Sequence, residues 1–311
     1  MRVSSNTAYD FGIAAINRQQ ATLAKTMEQV SSGRRILTPS EGPAAYVQAL
    51  DVSHADSNNT QYALNRQSAA SSLGALDGTL GSVTILVQNA QEFAVSAVNG
   101  TLTDSGRKAI ATELRGSLEG LLGLANSTGA NGQYLFSGFQ GSTKPFADTG
   151  SGVQYFGDDS QRMVQASESR QLAVSESGRE VFERIPASGG GYQSLFKTLS
   201  DLIGVLETPV VTAADKTALA NGLDAAQSNL SSALDNVLRI RSAVGTRMNE
   251  VDTLNNNGDD LSLRYKQQLS ELQDVDYAKA ISDLTRQQTY LQATQQVFLK
   301  VQGLSLFDYM K

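Results

Sequence analysis

Apolar residues in this chain recur at steps of three and four far more than at steps of two, which predicts long helices broken by one stretch of different character. From Asp274 onward, Tyr277, Ile281, Leu284, Gln288, Leu291, Gln295 and Phe298 alternate steps of four and three, the seam of a coiled coil. Near the other end, Tyr9, Ile13, Ile16, Gln20, Leu23, Met27 and Val30 follow the same alternation. With Gln in both seams, each stripe is too thin to hold an isolated helix in water. The two are expected to pair antiparallel, the chain between them folding back.

Read in order, the first helix covers 4–32 and stops at Ser31-Ser32-Gly33, where glycine accepts the left-handed conformation of a helix end. Arg34-Arg35 opens a segment whose Pro39, Gly42 and Pro43 forbid a continuous helix. It reads as a structured linker or spoke, with the arginines as solvated or interface charges. A helix over 44–99 follows, with Leu73, Leu76, Leu80, Val83, Val87, Ala90, Ala94 and Ala97 as its later stripe and a length of about 80 Å. Asn99-Gly100 closes it. Thr103 or Asp104 caps the next helix, which runs to about 127.

From Gly129 to Gly191 the periodicity changes. Segments 133–139, 153–156, 162–166 and 171–174 are strand candidates, separated by turn residues such as Asn131-Gly132 and Gly157-Asp158. This reads as a small, peripheral β insert with Gly189-Gly190-Gly191 as its exit hinge. Helix resumes over 192–207 and again over 213–273. A single stripe runs from Leu219 through Val251, Leu254 and Leu261 to Leu272, and Gly258 sits within it, weakening the helix by about 1 kcal/mol relative to Ala. The predicted fold is mainly α: an elongated, folded-back molecule with antiparallel coiled-coil termini, a long-helix bundle and an inserted β domain. The expected domains are 1–40 with 274–311, 41–130 with 192–273, and 131–191.

Composition narrows the function. The 311 residues carry a net charge of −6, which argues against a nucleic-acid partner. Cysteine is absent, so there is no disulfide, thiolate metal site or thiol nucleophile. No secretory signal is visible at the start, and no uninterrupted run of about 18 apolar residues suggests a membrane span. The single histidine, His54, falls inside a helix. Asp158-Asp159 and Asp259-Asp260 read as turn or solvated acids. Asn255-Asn256-Asn257-Gly258 fails as a calcium loop, because Thr253 and Arg264 would stand where acids are needed. No catalytic, cofactor or metal residue is expected.

Several segments then resemble a known family. Ser32-Gly33-Arg34-Arg35-Ile36-Leu37-Thr38-Pro39-Ser40, the run from Val98 to Asp104, Ala111-Thr112-Glu113-Leu114, Leu124-Ala125-Asn126, the run from Gly132 to Gly138, and the closing Val301–Tyr309 are similar to bacterial flagellar hook-associated protein 3, the hook–filament junction family. The resemblance implies a flagellin-like fold and a structural, non-enzymatic role. It implies a ring of copies of the chain, with hook-associated protein 1 on the hook side and flagellin on the filament side. It further implies an extracellular place in the flagellum, reached through the flagellar type III system, and an export chaperone on the C-terminal helix. Leu304, Leu306 and Phe307 are counted with the two terminal stripes as assembly positions. Flagellin itself is the alternative. A flagellar wall hydrolase, using Glu168, Glu176, Glu180 or Glu183, is a third reading without a defensible pattern.

Overall fold

The computed structural model describes residues 5–98, 102–129, 131–150 and 152–309, and the side chains of all of these except 5, 6, 8 and 301–309. The expected stop at Asn99-Gly100 lies outside the described residues. In chain order the elements are α1 (Ser5–Ser32), a 3-10 turn (Pro39–Glu41), α2 (Pro43–Ala97), α3 (Asp104–Ala125), β1 (Phe146–Asp148), β2 (Val153–Tyr155), β3 (Met163–Ser167), β4 (Arg170–Ala173), α4 (Gly178–Phe182), β5 (Ile185–Pro186), β6 (Tyr192–Gln193), α5 (Leu195–Glu207), α6 (Ala213–Gln273) and α7 (Tyr277–Tyr309). The fold is mainly α, with long helices and, among the described residues, three two-stranded antiparallel hairpins: β1 with β2, β3 with β4, and β5 with β6.

The chain divides into two compact units, residues 1–58 with 260–311, and residues 59–259. In the second, the Leu73–Ala97 stripe of α2 is buried together with Leu223, Ala226, Leu230, Ala233, Val237, Ile240 and Val244 of α6. Arg241 of α6 reaches Asp77 of α2 at 2.8 Å. Helix α2 does contain an 18-residue window of mean hydropathy 1.3, apolar enough by length and composition to cross a membrane. Polar residues interrupt that window, so it contains no continuous apolar run of its length. Leu73, Leu76, Leu80, Val83 and Val87 of this helix are core residues, whereas Ile85 is exposed, and 33% of the window is buried. Thr103 caps α3, its hydroxyl accepting from the Gly106 amide at 3.2 Å.

The expected peripheral β insert is instead built into the core of this unit. Phe136, Phe146 and Phe182 are fully buried, and Phe196 of α5 joins them. Their ring centroids lie 5.0 to 5.8 Å apart, with Tyr155 against Phe146, the spacing at which aromatic pairs attract. Three strand candidates appear within a residue or so of the reading. Segment 133–139 does not become a strand: it forms only the isolated bridges Thr128–Tyr134 and Ser137–Ser177. Gly138 has φ +68°, and a Cβ there would run into Asp158, so this segment turns where a strand would continue.

One polar node ties hairpin β3–β4 to the long helices. Arg66 of α2 is 2% exposed. Its Nε donates to Asn255 Oδ1 at 2.7 Å and its Nη1 to the Ala166 carbonyl at 2.9 Å. Burial lowers the affinity of the guanidinium for its proton, opposed by the Asp259 charge. Gly258 leaves the space: a Cβ there would collide with Arg66 Nη2, and the Gly258 carbonyl accepts from Asn59 at 2.7 Å. Gly258 is therefore the partner of a buried cation. The asparagines read as a failed calcium loop are a helical turn that helps to hold it.

Candidate assembly interface

Within the first unit α1 and α7 pack along their lengths, antiparallel. The backbone fixes one end: the Arg35 amide donates to Gln273 O at 2.6 Å, and the Val275 amide to Gly33 O at 2.9 Å. The Arg35 guanidinium donates to the Leu272 carbonyl at 2.7 Å, a cation at the C-terminal end of α6, where the helix dipole favours it. Lys25 pairs with Glu41 at 2.9 Å, and Glu41 also accepts the Leu37 amide at 2.9 Å. These bonds lower the Glu41 carboxyl below its ordinary range, the lysine contact most. Ile36 is buried, while Arg34, Pro39 and Pro43 are exposed. The linker is thus an ordered clasp on the α6–α7 corner.

Along the pair, Ile16, Leu23, Val30, Leu284, Leu291 and Phe298 are half-buried, as a shared seam requires. Tyr9 and Tyr277 sit at its ends, half-exposed yet touching across. The Tyr9 and Phe298 rings are 5.5 Å apart, and the Tyr277 hydroxyl lies 2.9 Å from where a Gly33 Cβ would stand. The intervening seam positions differ from the reading by one residue in both helices. Gly12, Gln19 and Thr26 face inward where Ile13, Gln20 and Met27 were expected. Ala280, Gln287 and Thr294 take the places expected of Ile281, Gln288 and Gln295. Thr26 and Ala280 are each 7% exposed, whereas Ile13, Met27 and Ile281 are 36%, 52% and 52% exposed.

The physical reason is size. A built Gly12 Cβ would lie 2.5 Å from the Phe298 ring, so glycine lets that ring lie against the α1 backbone. Thr26 turns its hydroxyl onto the Thr22 carbonyl at 3.1 Å, keeping the polar atom satisfied in the seam. Gln19 reaches the Gln287 carbonyl at 3.4 Å, while the buried Gln287 Oε1 has no partner among the described residues. The large apolar residues displaced from the seam stay on the outside, with Phe11, Tyr290, Val297 and Leu299 also exposed. The side chains of Leu304, Leu306 and Phe307 lie outside the described residues.

The other candidate chemistry resolves into structure. His54 is exposed on α2. Glu176 is 6% exposed and held by Arg247 at 2.5 Å and by Gln161 at 2.6 Å. Glu180 pairs with Arg184, Glu183 with Arg179, and Asp159 with both arginines. Asp158 accepts the amides of Phe139 and Ser160 at 3.0 and 2.8 Å. Among the described residues no group of three metal-binding side chains converges.

Comparison with known proteins gives the family. Residues 3–141 match the bacterial flagellin N-terminal helical region, and residues 227–310 match the bacterial flagellin C-terminal helical region. Flagellar hook-associated protein 3 of Escherichia coli K12 is 38% identical over the whole of both chains. The chain belongs to the flagellar hook-associated protein 3 family. The Salmonella typhimurium member is 36% identical over 99% of each chain. Flagellins match far less: phase 1 flagellin of Salmonella naestved is 30% identical over 39% of this chain and 24% of its own. The fold recurs in the crystal structure of hook-associated protein 3 from Legionella pneumophila, with TM-score 0.68 and 21% identity over 71% of this chain and 98% of that one. The chain is thus a flagellar component. The seam residues that sequence reasoning missed are Gly12, Gln19, Thr26, Ala280, Gln287 and Thr294. Their smallness and polarity hid them from a search for apolar periodicity.

Proposed function

We propose that this chain is the subunit of the hook–filament junction, assembling as a ring through its terminal helices, with hook-associated protein 1 on one side and flagellin on the other. The observation that carries the reading is end-to-end similarity to hook-associated protein 3, where flagellin matches only in part. The α1–α7 pair supports the ring. It holds a polar, partly unsatisfied seam inside and leaves apolar residues such as Phe11, Met27, Ile281 and Leu299 outside, as a helix pair awaiting neighbours would. In this reading segments 1–40 and 274–311 form the assembly layer. The Ile16, Leu23, Leu284 and Leu291 face joins the two helices, and Ile13, Met27 and Ile281 face other subunits. Leu304, Leu306 and Phe307 extend the same layer.

The role is non-enzymatic, and Glu176, Glu180 and Glu183 serve as ion-pair partners. Export through the flagellar type III route, with a chaperone on α7, accompanies the reading. The test is a deletion strain. Hooks should remain, flagellin should pass unpolymerised into the medium, and the cloned chain should restore filaments. Normal filaments in the deletion strain would reject the junction role. Filaments absent together with their hooks would point to an earlier place in assembly.

A further inference from the structure

Three Asn-Gly steps fall among the described residues: Asn131-Gly132, Asn221-Gly222 and Asn257-Gly258. The last two lie inside α6. There each glycine amide belongs to the helix ladder, and the helical backbone keeps it from the preceding asparagine side chain. Asn131-Gly132 lies instead in an exposed turn. Gly132 has φ +73°, and no atom stands within 4 Å of where a Cβ would be. Its amide donates to the Gly129 carbonyl at 2.9 Å, a single turn bond at the surface.

One residue holds both ends of the Asn131 side chain. Asn131 Oδ1 accepts from the Gln133 amide at 3.1 Å, and Asn131 Nδ2 donates to Gln133 Oε1 at 3.3 Å. A donor on a carbonyl oxygen stabilises the negative charge that develops there when a nucleophile adds to the carbon. Gln133 Oε1 also accepts from Arg162 Nη1. Arg162 is half-buried. Burial lowers its affinity for its proton, and no carboxylate opposes that effect.

We propose that Asn131 is a modification site: it deamidates in the folded chain, and the carboxylate formed takes Arg162 over from Gln133. The Gly132 nitrogen gives its proton to water and bonds to Asn131 Cγ, while the Gln133 amide holds the oxyanion. The Cγ–Nδ2 bond breaks, and ammonia leaves with a proton from water. A water molecule then opens the succinimide to aspartate or isoaspartate. The net reaction consumes one water and releases one ammonia. An oxygen now stands where Nδ2 donated. It repels Gln133 Oε1 and attracts the guanidinium that Oε1 had held. The change adds a negative charge to the turn that leads into the buried Leu135 and Phe136.

The test follows the full chain at neutral pH, folded and in urea, by peptide mass mapping. Asn131 should show the mass gain of deamidation at least as fast in the folded chain as in the unfolded one. Folding should slow the same gain at Asn221 and Asn257 by about tenfold or more, because the helix must first open. The second arm uses Asn131→Asp as the product, read by the Arg162 side-chain resonance. That signal should shift in Asn131→Asp and return as acid neutralises the carboxylate. Asn131→Ser should show no such acid dependence. Slower deamidation of Asn131 in the folded chain than in urea would overturn the site. An Arg162 signal in Asn131→Asp without acid dependence would overturn the exchange of partners.

Discussion

The ring of Phe298 occupies the space that any side chain at position 12 would need: a Cβ built on Gly12 stands 2.5 Å from Phe298 Cδ2. Alanine in a helix is favoured over glycine by about 1 kcal/mol. Forcing a methyl into a packed contact costs about 1–3 kcal/mol. Gly12→Ala should therefore weaken the α1–α7 pair by about 1 kcal/mol, seen as faster amide hydrogen exchange along α1. Adding Phe298→Ala should restore part of that protection, because the clash is then gone. If the double variant exchanges as fast as the sum of the single effects, the two residues are not coupled.

The one-residue displacement of the seam separates two surfaces by adjacent positions. Leu291→Asp places a carboxylate in the half-buried seam, forfeits about 1–2 kcal/mol of apolar burial and adds a desolvation penalty. It should open the α1–α7 pair and abolish filament attachment, leaving thermal unfolding of residues 59–259 close to wild type. Met27→Asp alters a side chain that is 52% exposed. It should leave hydrogen exchange in the pair unchanged and still lower filament counts. Full motility in Met27→Asp would show that the outward stripe makes no contact between subunits.

Gly258→Ala gives the opposite result from a helix-propensity argument. Propensity alone favours alanine by about 1 kcal/mol. The added methyl would displace a buried guanidinium from Asn255 and the Ala166 carbonyl, and hydrogen bonds to a charged group contribute about 1.5–3 kcal/mol each. The variant should be less stable by about 1–3 kcal/mol in urea unfolding. A stabilised Gly258→Ala would mean that Arg66 finds other partners at no cost.

Two carboxyls in the second unit should respond to acid with opposite sign. Asp158 is lowered below its ordinary value, chiefly by the Phe139 amide. Its stabilising contribution is complete above the unfolded value, about 3.9, and is lost as pH falls through the folded one. Glu183 is raised, chiefly by burial. Its contribution is complete below the unfolded value, about 4.3, and is lost as pH rises through the folded one. Asp158→Asn keeps an oxygen for both amides and drops the charge. Wild type should lose its stability advantage over Asp158→Asn as pH falls from 5 to 2, and gain relative to Glu183→Gln over the same range. Urea midpoints across that range read both. Parallel trends in the two variants would contradict the assigned causes.

Much of this architecture was legible because long helices repeat a simple signal. The predicted limits of α6, residues 213 and 273, coincide with the structure, and Thr103, one of the two caps offered for α3, is the one used. The pairing of the two ends was legible too, from Ile16, Leu23, Leu284 and Leu291. Apolar periodicity cannot weigh backbone approach, so it chose Ile13 and Ile281 over Gly12 and Ala280. Arg66 was invisible for the converse reason: a charged residue in a helix is read as outward until its acceptors, distant in sequence, are seen around it. In the β region the local signals for strands at 153–174 were adequate. The aromatic cluster that binds them to α5 depends on Phe136, Phe146, Phe182 and Phe196 meeting across gaps that no local pattern encodes.

The Arg66–Gly258 contact also constrains the order in which this protein can change. A lineage that first shortens Arg66 removes the buried charge and leaves Asn255 Oδ1 and the Ala166 carbonyl to find other donors, after which position 258 can take alanine and recover helix propensity. A lineage that first fills position 258 must pass through a chain with a displaced cation. The two residues should therefore be exchanged as a linked pair, Arg with Gly or a small neutral residue with Ala, and the combination Arg with Ala should be the one descent avoids.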